Sequence, residues 1–162
     1  MTQAYIITDG QTDLELLKTL LPKLVIKELD FISSGYSAPS KSRSLLAAKR
    51  LPVALVIGAD TDNETAIYEQ QDTLQYLLRQ AAVRVPFKVL LAIPSIETIF
   101  FQDRPLLEQL LNRHLTDTEW ELAKYHPKKS LTYFLGENPL PGLLSKLTDQ
   151  AIMVLQKHPL IT

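Results

Sequence analysis

The sequence contains no cysteine and only three histidines, and these shortages exclude several kinds of chemistry. Without cysteine the chain has no disulfide, no thiolate nucleophile and no cysteine-ligated zinc or iron–sulfur site. The histidines, His114, His126 and His158, lie far apart in the sequence and lack the spacing of a zinc site. Carboxylates are therefore the main candidates for metal ligands.

The sequence also has no excess of one charge sign and no long hydrophobic run. Its 17 basic residues nearly balance its 18 acidic residues, so nucleic-acid binding would depend on a local basic patch. No apolar run approaches the roughly 20 residues that a membrane-spanning helix needs. The first residues lack the basic and apolar segments of a signal peptide. We therefore expect a cytoplasmic protein with no membrane association.

Four apolar segments alternate with segments of helical periodicity in the first part of the chain. Strands are predicted at residues 3–8, 29–33, 53–59 and 87–93. Helices are predicted at about residues 12–21, 39–50 and 64–82. The third strand is apolar throughout, which is typical of a parallel strand covered on both faces. This series predicts an α/β fold with a Rossmann-like, mostly parallel sheet of about four strands.

From residue 94 onward the pattern changes to helices separated by prolines and polar turns. A last amphipathic helix is predicted over residues 140–156. The chain length suits one domain spanning residues 1–162. Within it we expect an α/β core at residues 1–104 and a helical extension at residues 105–162 that packs on the core.

Acidic residues follow three of the predicted strands. Asp9 ends the first, Asp60 and Asp62 end the third, and Glu97 lies just past the fourth. Because the carboxyl ends of parallel strands meet at one sheet edge, where open α/β folds bind ligands, these acids should converge there. In an extended chain Asp60 and Asp62 point the same way and could face one ion. Mg²⁺ or Mn²⁺ needs only two or three carboxylates, because substrate phosphate and water complete the ligand set.

Helix capping is a structural alternative for acids that follow strands. Aspartate and asparagine are favoured caps, and Asp9, Asp62 and Asn63 all stand where caps are expected. Capping-box patterns mark two predicted helix starts, at Thr12 with Glu15 and at Thr116 with Glu119. The prediction of a metal site therefore depends on the agreement of three separate strand ends.

The order of these motifs resembles the TOPRIM domain of topoisomerases, bacterial primases, small RNA maturases and OLD-type nucleases. Asp9-Gly10 stands where the family has a Glu-Gly pair, with Asp13 as the later acid, and Asp60-Thr61-Asp62 stands at its Asp-x-Asp. The stretch from Ile93 to Asp103 is similar to one in small stand-alone TOPRIM-like proteins related to OLD-type nucleases. There a proline is followed by Ile-Glu, an apolar helical turn and an aspartate. The resemblance covers about residues 3–104.

The resemblance implies a Mg²⁺- or Mn²⁺-dependent phosphodiester-processing protein, such as a nuclease that acts on DNA or RNA. By the same resemblance Asp60 and Asp62 bind the metal, and Glu97 completes its ligand shell. Asp9 binds metal or serves as an acid or base.

A lysine beyond the acidic motifs assists at the scissile phosphate in OLD-like nucleases. The resemblance makes Lys128 or Lys129 the matching residue, and we take Lys128 as the catalytic candidate. Ordinary surface charge is the structural alternative for this pair.

One departure from the family pattern supports a second interpretation. Asp9 stands in place of a glutamate and is one methylene shorter, which changes its reach toward a substrate oxygen. The alternative is a catalytically degenerate TOPRIM-like module that binds a partner protein or a nucleotide. A third interpretation, a phosphatase-like enzyme with Asp60 as nucleophile, shares the same strand end. The sequence also leaves a homodimer open.

Overall fold

The structure is a computed structural model that describes residues 2–61, 63–136, 139–158 and 160–161. These residues form one four-stranded, wholly parallel sheet, in the order β2-β1-β3-β4. The strands are β1 (Ala4–Thr8), β2 (Leu29–Ser33), β3 (Val53–Gly58) and β4 (Phe87–Ala92). The predicted α/β class and the parallel sheet of about four strands are confirmed.

Helices connect the strands and continue to the end of the described chain. Those between strands are α1 (Gln11–Leu20), α2 (Lys23–Ile26), α3 (Ala38–Lys49) and α4 (Glu64–Ala81). Those after β4 are α5 (Arg104–Leu111), α6 (Asp117–Tyr125), α7 (Pro127–Leu135), α8 (Pro139–Ser145) and α9 (Asp149–Leu155). Short 3₁₀ helices lie at Gly35–Ser37 and Ile96–Phe101. Within the described residues no helix is long and apolar enough to cross a membrane.

Two apolar clusters lie on opposite faces of the sheet, because neighbouring side chains of a strand point in opposite directions. On β3, Leu55 belongs to one cluster and Val56 to the other. The cluster around Leu55 is covered by α3 and α4, and includes Ile7, Leu46 and Leu78. Burial on both faces explains why β3 is apolar throughout.

The cluster around Val56 joins the sheet to the C-terminal helices. Leu16 and Leu20 of α1 share it with Leu131, Leu143 and Leu155, from α7, α8 and α9. Each fully buried leucine side chain contributes about 1.5–3 kcal/mol. The helices after β4 therefore cover this face of the sheet together with α1, and residues of α7 and α8 line the cleft at its carboxyl edge.

The helix starts show which capping predictions hold. Asn63 caps α4 and accepts from the Ala66 N–H at 2.9 Å. The predicted capping box of α6 is present, with Thr116 and Glu119 each accepting from the other's backbone N–H. The capping box predicted at Thr12 and Glu15 is wrong. The N-cap of α1 is Gly10, whose carbonyl accepts from Leu14, so Thr12 already lies inside the helix.

The single helix predicted over residues 140–156 is also wrong. The chain forms two helices there, α8 and α9. Thr148 is extended, and its hydroxyl accepts from the Ala151 N–H at 3.2 Å. A threonine in this conformation caps a new helix and interrupts the apolar periodicity, which continues across the break.

Candidate functional site

A cleft of about 570 Å³ opens at the carboxyl edge of the sheet, where the loops after β1, β3 and β4 meet. A volume of this size suits a small ligand of nucleotide dimensions. The charged residues that line it are Asp9, Asp13, Asp60, Glu97 and Lys128. The cleft therefore collects acids from three strand ends and one lysine from the helices that cover the sheet.

Asp9 follows β1 directly and is held by the backbone around it. The buried hydroxyl of Thr8 donates to the Gly10 carbonyl at 2.8 Å, and the Gly35 N–H donates to the Asp9 carbonyl at 2.9 Å. One carboxylate oxygen of Asp9, Oδ1, is buried and has no hydrogen-bond partner among the described residues. A buried oxygen without a donor is costly, and such atoms often mark a place for an ion, a water or a ligand.

Asp13 lies in the first turn of α1 and faces Asp9. A Cβ at Gly10 would lie 3.2 Å from its Oδ1, so glycine leaves room for this carboxyl group. Burial raises the pKa of Asp13 to about 7, and the hydrogen bond with Asp9 and the charges of Asp9 and Glu97 add to the rise. The Lys128 ammonium lowers the pKa only in part. Asp13 is therefore protonated below about pH 7 and carries its negative charge above it.

Glu97 and Ser95 lie beside this pair, in the segment after β4. Glu97 belongs to the 3₁₀ helix Ile96–Phe101 and is only 7 % exposed, between apolar neighbours that belong to the core. The Ser95 hydroxyl oxygen is buried and, within the described part of the chain, has no hydrogen-bond partner. The loop after β4 thus adds a buried charge and an unpartnered hydroxyl to the same cleft.

Asp60 reaches the cleft from the loop after β3, but not in the predicted extended conformation. Its φ is 58°, in the left-handed region, and its N–H donates to the Pro94 carbonyl at 2.7 Å. This bond turns the chain out of the strand direction. The premise that Asp60 and Asp62 point the same way along an extended chain is therefore wrong at Asp60. Asp62 itself lies outside the described residues.

Lys128 lies in the first turn of α7, with an exposed side chain that lines the cleft. Its charge reaches Asp13, whose pKa it lowers. Thr132, four residues later on the same helix, also lines the cleft, whereas Lys129 does not. Of the two lysines left open by the sequence, the structure therefore places Lys128 at the acids.

The structure brings Asp9, Asp60, Glu97 and Lys128 to one cleft, and their chemical roles stay predictions. The sequence identified Asp13 only as the later acid of a motif, and not as a site residue. Its position could have indicated a role in the site, because it lies four residues after the strand-end acid and one turn into the following helix. That spacing folds the second acid back over the first.

The donor set suits a hard divalent cation, although it is incomplete. All its charged acceptors are carboxylate oxygens, which Mg²⁺ prefers, and one or two carboxylates suffice when substrate phosphate and water supply the rest. Asp9 and Asp13 meet that minimum. Within residues 2–61, 63–136, 139–158 and 160–161, however, no three acidic or histidine side chains form a group that could hold a metal.

Comparisons of the chain with protein-family models, with curated proteins and with solved structures find no match. The TOPRIM resemblance therefore remains an expectation drawn from short motifs. Inferences about function depend on the cleft itself.

Proposed function

We propose that this chain is a TOPRIM-like, Mg²⁺-dependent phosphodiester-processing protein, a nuclease that acts on DNA or RNA in the cleft at the carboxyl edge of the sheet. The observation that carries the proposal is the Asp9–Asp13 carboxyl pair, half-buried beside the buried Glu97 in the cleft that Lys128 also lines. A fold has no structural reason to gather like charges in this way. Strongly raised pKa values of this kind cluster at functional sites.

The acidic residues are the proposed cation ligands. Asp9 and Asp13 are the first two, because they already lie together and Asp9 Oδ1 has no partner within the described structure. Asp60, Asp62 and Glu97 are the further ligands that the motif resemblance supplies. When bound, Mg²⁺ or Mn²⁺ would contribute positive charge that stabilises the phosphate and activates water.

The raised pKa of Asp13 gives the proposed site a pH dependence. Asp13 is protonated below about pH 7 in the folded chain. Its carboxyl group must release this proton to bind a cation, so cation affinity should fall as the pH drops below that value. The family resemblance also gives Asp9 an alternative role, as an acid or base instead of a cation ligand.

Lys128 is the proposed phosphate-binding residue. Its exposed side chain extends along the cleft from α7, and it has no ion-pair partner within 4.0 Å among the described residues. An ammonium group in this position can donate to a non-bridging phosphate oxygen. It would offset the charge that builds on phosphorus-bound oxygens as the ester bond breaks.

The proposal is tested by Mn²⁺ binding and by cleavage of single-stranded and duplex DNA and RNA. Asp9→Asn and Asp13→Asn should each weaken Mn²⁺ binding at least about tenfold, because each removes a proposed ligand charge, and should abolish cleavage. Asp72→Asn is the matched control, since Asp72 is exposed on α4 and does not line the cleft. Unchanged Mn²⁺ binding in both cleft variants would contradict the proposal.

A binding module is the second candidate function, and one observation favours it. The described residues contain no three-ligand metal group, as a chain that had lost its chemistry would also show. Such a module would bind a partner protein or a nucleotide in the same cleft. Stable nucleotide or partner binding by a wild-type protein that neither binds Mn²⁺ nor cleaves nucleic acid would select this candidate.

A further inference from the structure

The rim of the cleft differs in chemistry from its floor. The acids lie around Asp9, whereas apolar and aromatic side chains line the outer part. Tyr36 and Pro39 come from the segment after β2, and Pro139 and Pro141, on either side of the buried Leu140, come from α8. Cation binding does not require an apolar rim. A ligand that combines a phosphate with a flat apolar group would use both parts.

Tyr36 is the most exposed member of this rim, with a relative exposure of 107 %. It lies on the 3₁₀ turn Gly35–Ser37, where Gly35 has a φ of +55° that favours glycine. The turn is bonded to the loop after β1, because Ser34 and Gly35 donate their N–H groups to the Thr8 and Asp9 carbonyls, at 3.0 and 2.9 Å. The hydroxyls of Ser34 and Ser37 are also bonded, at 2.9 Å.

These bonds fix the backbone that carries Tyr36 beside the Asp9 backbone. Because the Asp9 carbonyl accepts directly from the turn, the base of the Tyr36 side chain stays close to the acid, while its ring is free to meet a ligand. An aromatic face exposed at the mouth of a cleft is a platform on which a nucleobase can stack. The phosphate attached to that base would then reach the acids and Lys128.

We propose that Tyr36 forms a base-binding subsite and that the substrate is an unpaired nucleotide, such as a single-stranded end, rather than continuous duplex. This inference rests on the proposed function, whose substrate class it narrows. Within a continuous duplex both faces of each base pair are covered by the neighbouring pairs, whereas an unpaired base can offer a free face to the ring of Tyr36.

The charge of the cleft supports the same substrate class. Proteins that bind duplex along its length neutralise many phosphates with lysine and arginine. Among the described residues that line this cleft, Lys128 is the only basic one, and the net charge of the chain is −1. The cleft thus offers one basic side chain for one phosphate group, beside its four acids, and one aromatic ring for one base.

The test measures base binding without the metal. The probe is a single-stranded tetranucleotide with uncharged methylphosphonate linkages that carries 2-aminopurine, whose fluorescence is quenched on stacking. The wild-type protein should quench it, and Tyr36→Ala should bind about fivefold to a hundredfold more weakly. Tyr36→Phe should bind like wild type, because it keeps the ring. Tyr68→Ala is the matched control, since Tyr68 is 70 % exposed on α4 and does not line the cleft.

The outcomes separate this inference from the proposed function. Equal quenching by wild type and Tyr36→Ala, absence of quenching by the wild type, or equal affinity for the same probe paired in a hairpin would overturn the base-binding subsite. None of these results depends on metal or cleavage. A protein that stacks the probe through Tyr36 but shows no Mn²⁺ binding would retain the subsite and refute the nuclease proposal.

Discussion

Two acidic regions of this molecule hold their carboxylates in opposite ways. At the α5–α6 corner each one has a partner: Glu108 accepts from the Leu115 N–H at 2.7 Å and lies 3.7 Å from Arg104. Glu119 completes the capping box and lies 2.9 Å from Arg113. The hydrogen bond from the Thr116 backbone N–H lowers the pKa of Glu119, and the charge of Arg113 lowers it further by a smaller amount.

The cleft shows the reverse arrangement. In the described structure Asp9 Oδ1 has no donor, and burial beside Asp9 and Glu97 raises the pKa of Asp13 to about 7. The same residue types therefore serve the fold at the corner and oppose it in the cleft. A region that is kept at an electrostatic cost is where a ligand would relieve that cost.

The largest effect that tests this contrast is expected from Asp13→Asn. The unfolded carboxyl group titrates near its usual pKa of about 4, so between about pH 4 and pH 7 the folded chain binds more protons than the unfolded chain. The free energy of unfolding therefore falls as the pH rises through this range, and the loss is complete above about pH 7. Because an asparagine side chain cannot ionise, the variant should be more stable than wild type by about 2 kcal/mol at about pH 8.

Thermal unfolding at two pH values measures this effect. At about pH 8 the variant's Tm should exceed that of wild type by about 4–8 °C, and at about pH 4.5 the difference should shrink toward zero. Asp72→Asn, an exposed change outside the cleft, should show no such pH dependence. A variant that is less stable than wild type at about pH 8 would show that the cleft acids support the fold, and the contrast would fail.

The fold was predictable from the sequence wherever a strand or helix pattern has clear end residues. The apolar runs of the four strands end at Ser, Asp, Gly or Pro, and Thr116 with Glu119 carries both halves of its capping box. Thr12 with Glu15 has the same Thr-x-x-Glu pattern, yet α1 already begins at Gln11 with Gly10 as its cap, so Thr12 lies inside the helix. The break between α8 and α9 was missed because apolar periodicity continues across Thr148. Local patterns fix the presence of elements, and tertiary packing fixes their ends.

The sequence could predict only that the site lies at the carboxyl edge of the sheet, and not how its side chains are arranged there. Parallel strands had to bring Asp9, Asp60 and Glu97 to one side, and they do so in the cleft. The sequence could not show that the Asp60 N–H bonds to Pro94 and turns the chain away from the extended form. Nor could it show that the pKa of Asp13 is raised to about 7, because that depends on how far the folded chain buries its carboxyl group beside Asp9 and Glu97.

A smaller effect, of opposite sign, is expected at the corner from Glu108→Ala. The change leaves the Leu115 N–H without its acceptor, next to a side chain that is only 4 % exposed. Loss of a hydrogen bond to a charged group should lower the free energy of unfolding by about 2 kcal/mol or less at about pH 8. Urea unfolding measures it.

Glu108→Gln is the matched control for this change. The amide oxygen of the new side chain can still accept from Leu115, so most of the stability should be retained. If Glu108→Gln lowered the stability as much as Glu108→Ala does, the charge of Glu108, and not its hydrogen bond, would stabilise the corner. The corner and the cleft would then differ only in how their charges are paired.

The smallest effect is expected from Asp117→Asn, although Asp117 forms the shortest ion pair in the described chain, at 2.7 Å from Arg104. The Asp117 side chain is 95 % exposed, and water screens an exposed pair of this kind. Arg104 also keeps Glu108 and the Leu115 carbonyl as partners. The midpoint of urea unfolding should stay within its experimental scatter. A clear loss of stability would mean that exposed charges stabilise this corner. The corner and the cleft would then differ because the corner has basic partners for its acids, not because the acids of the cleft are more buried.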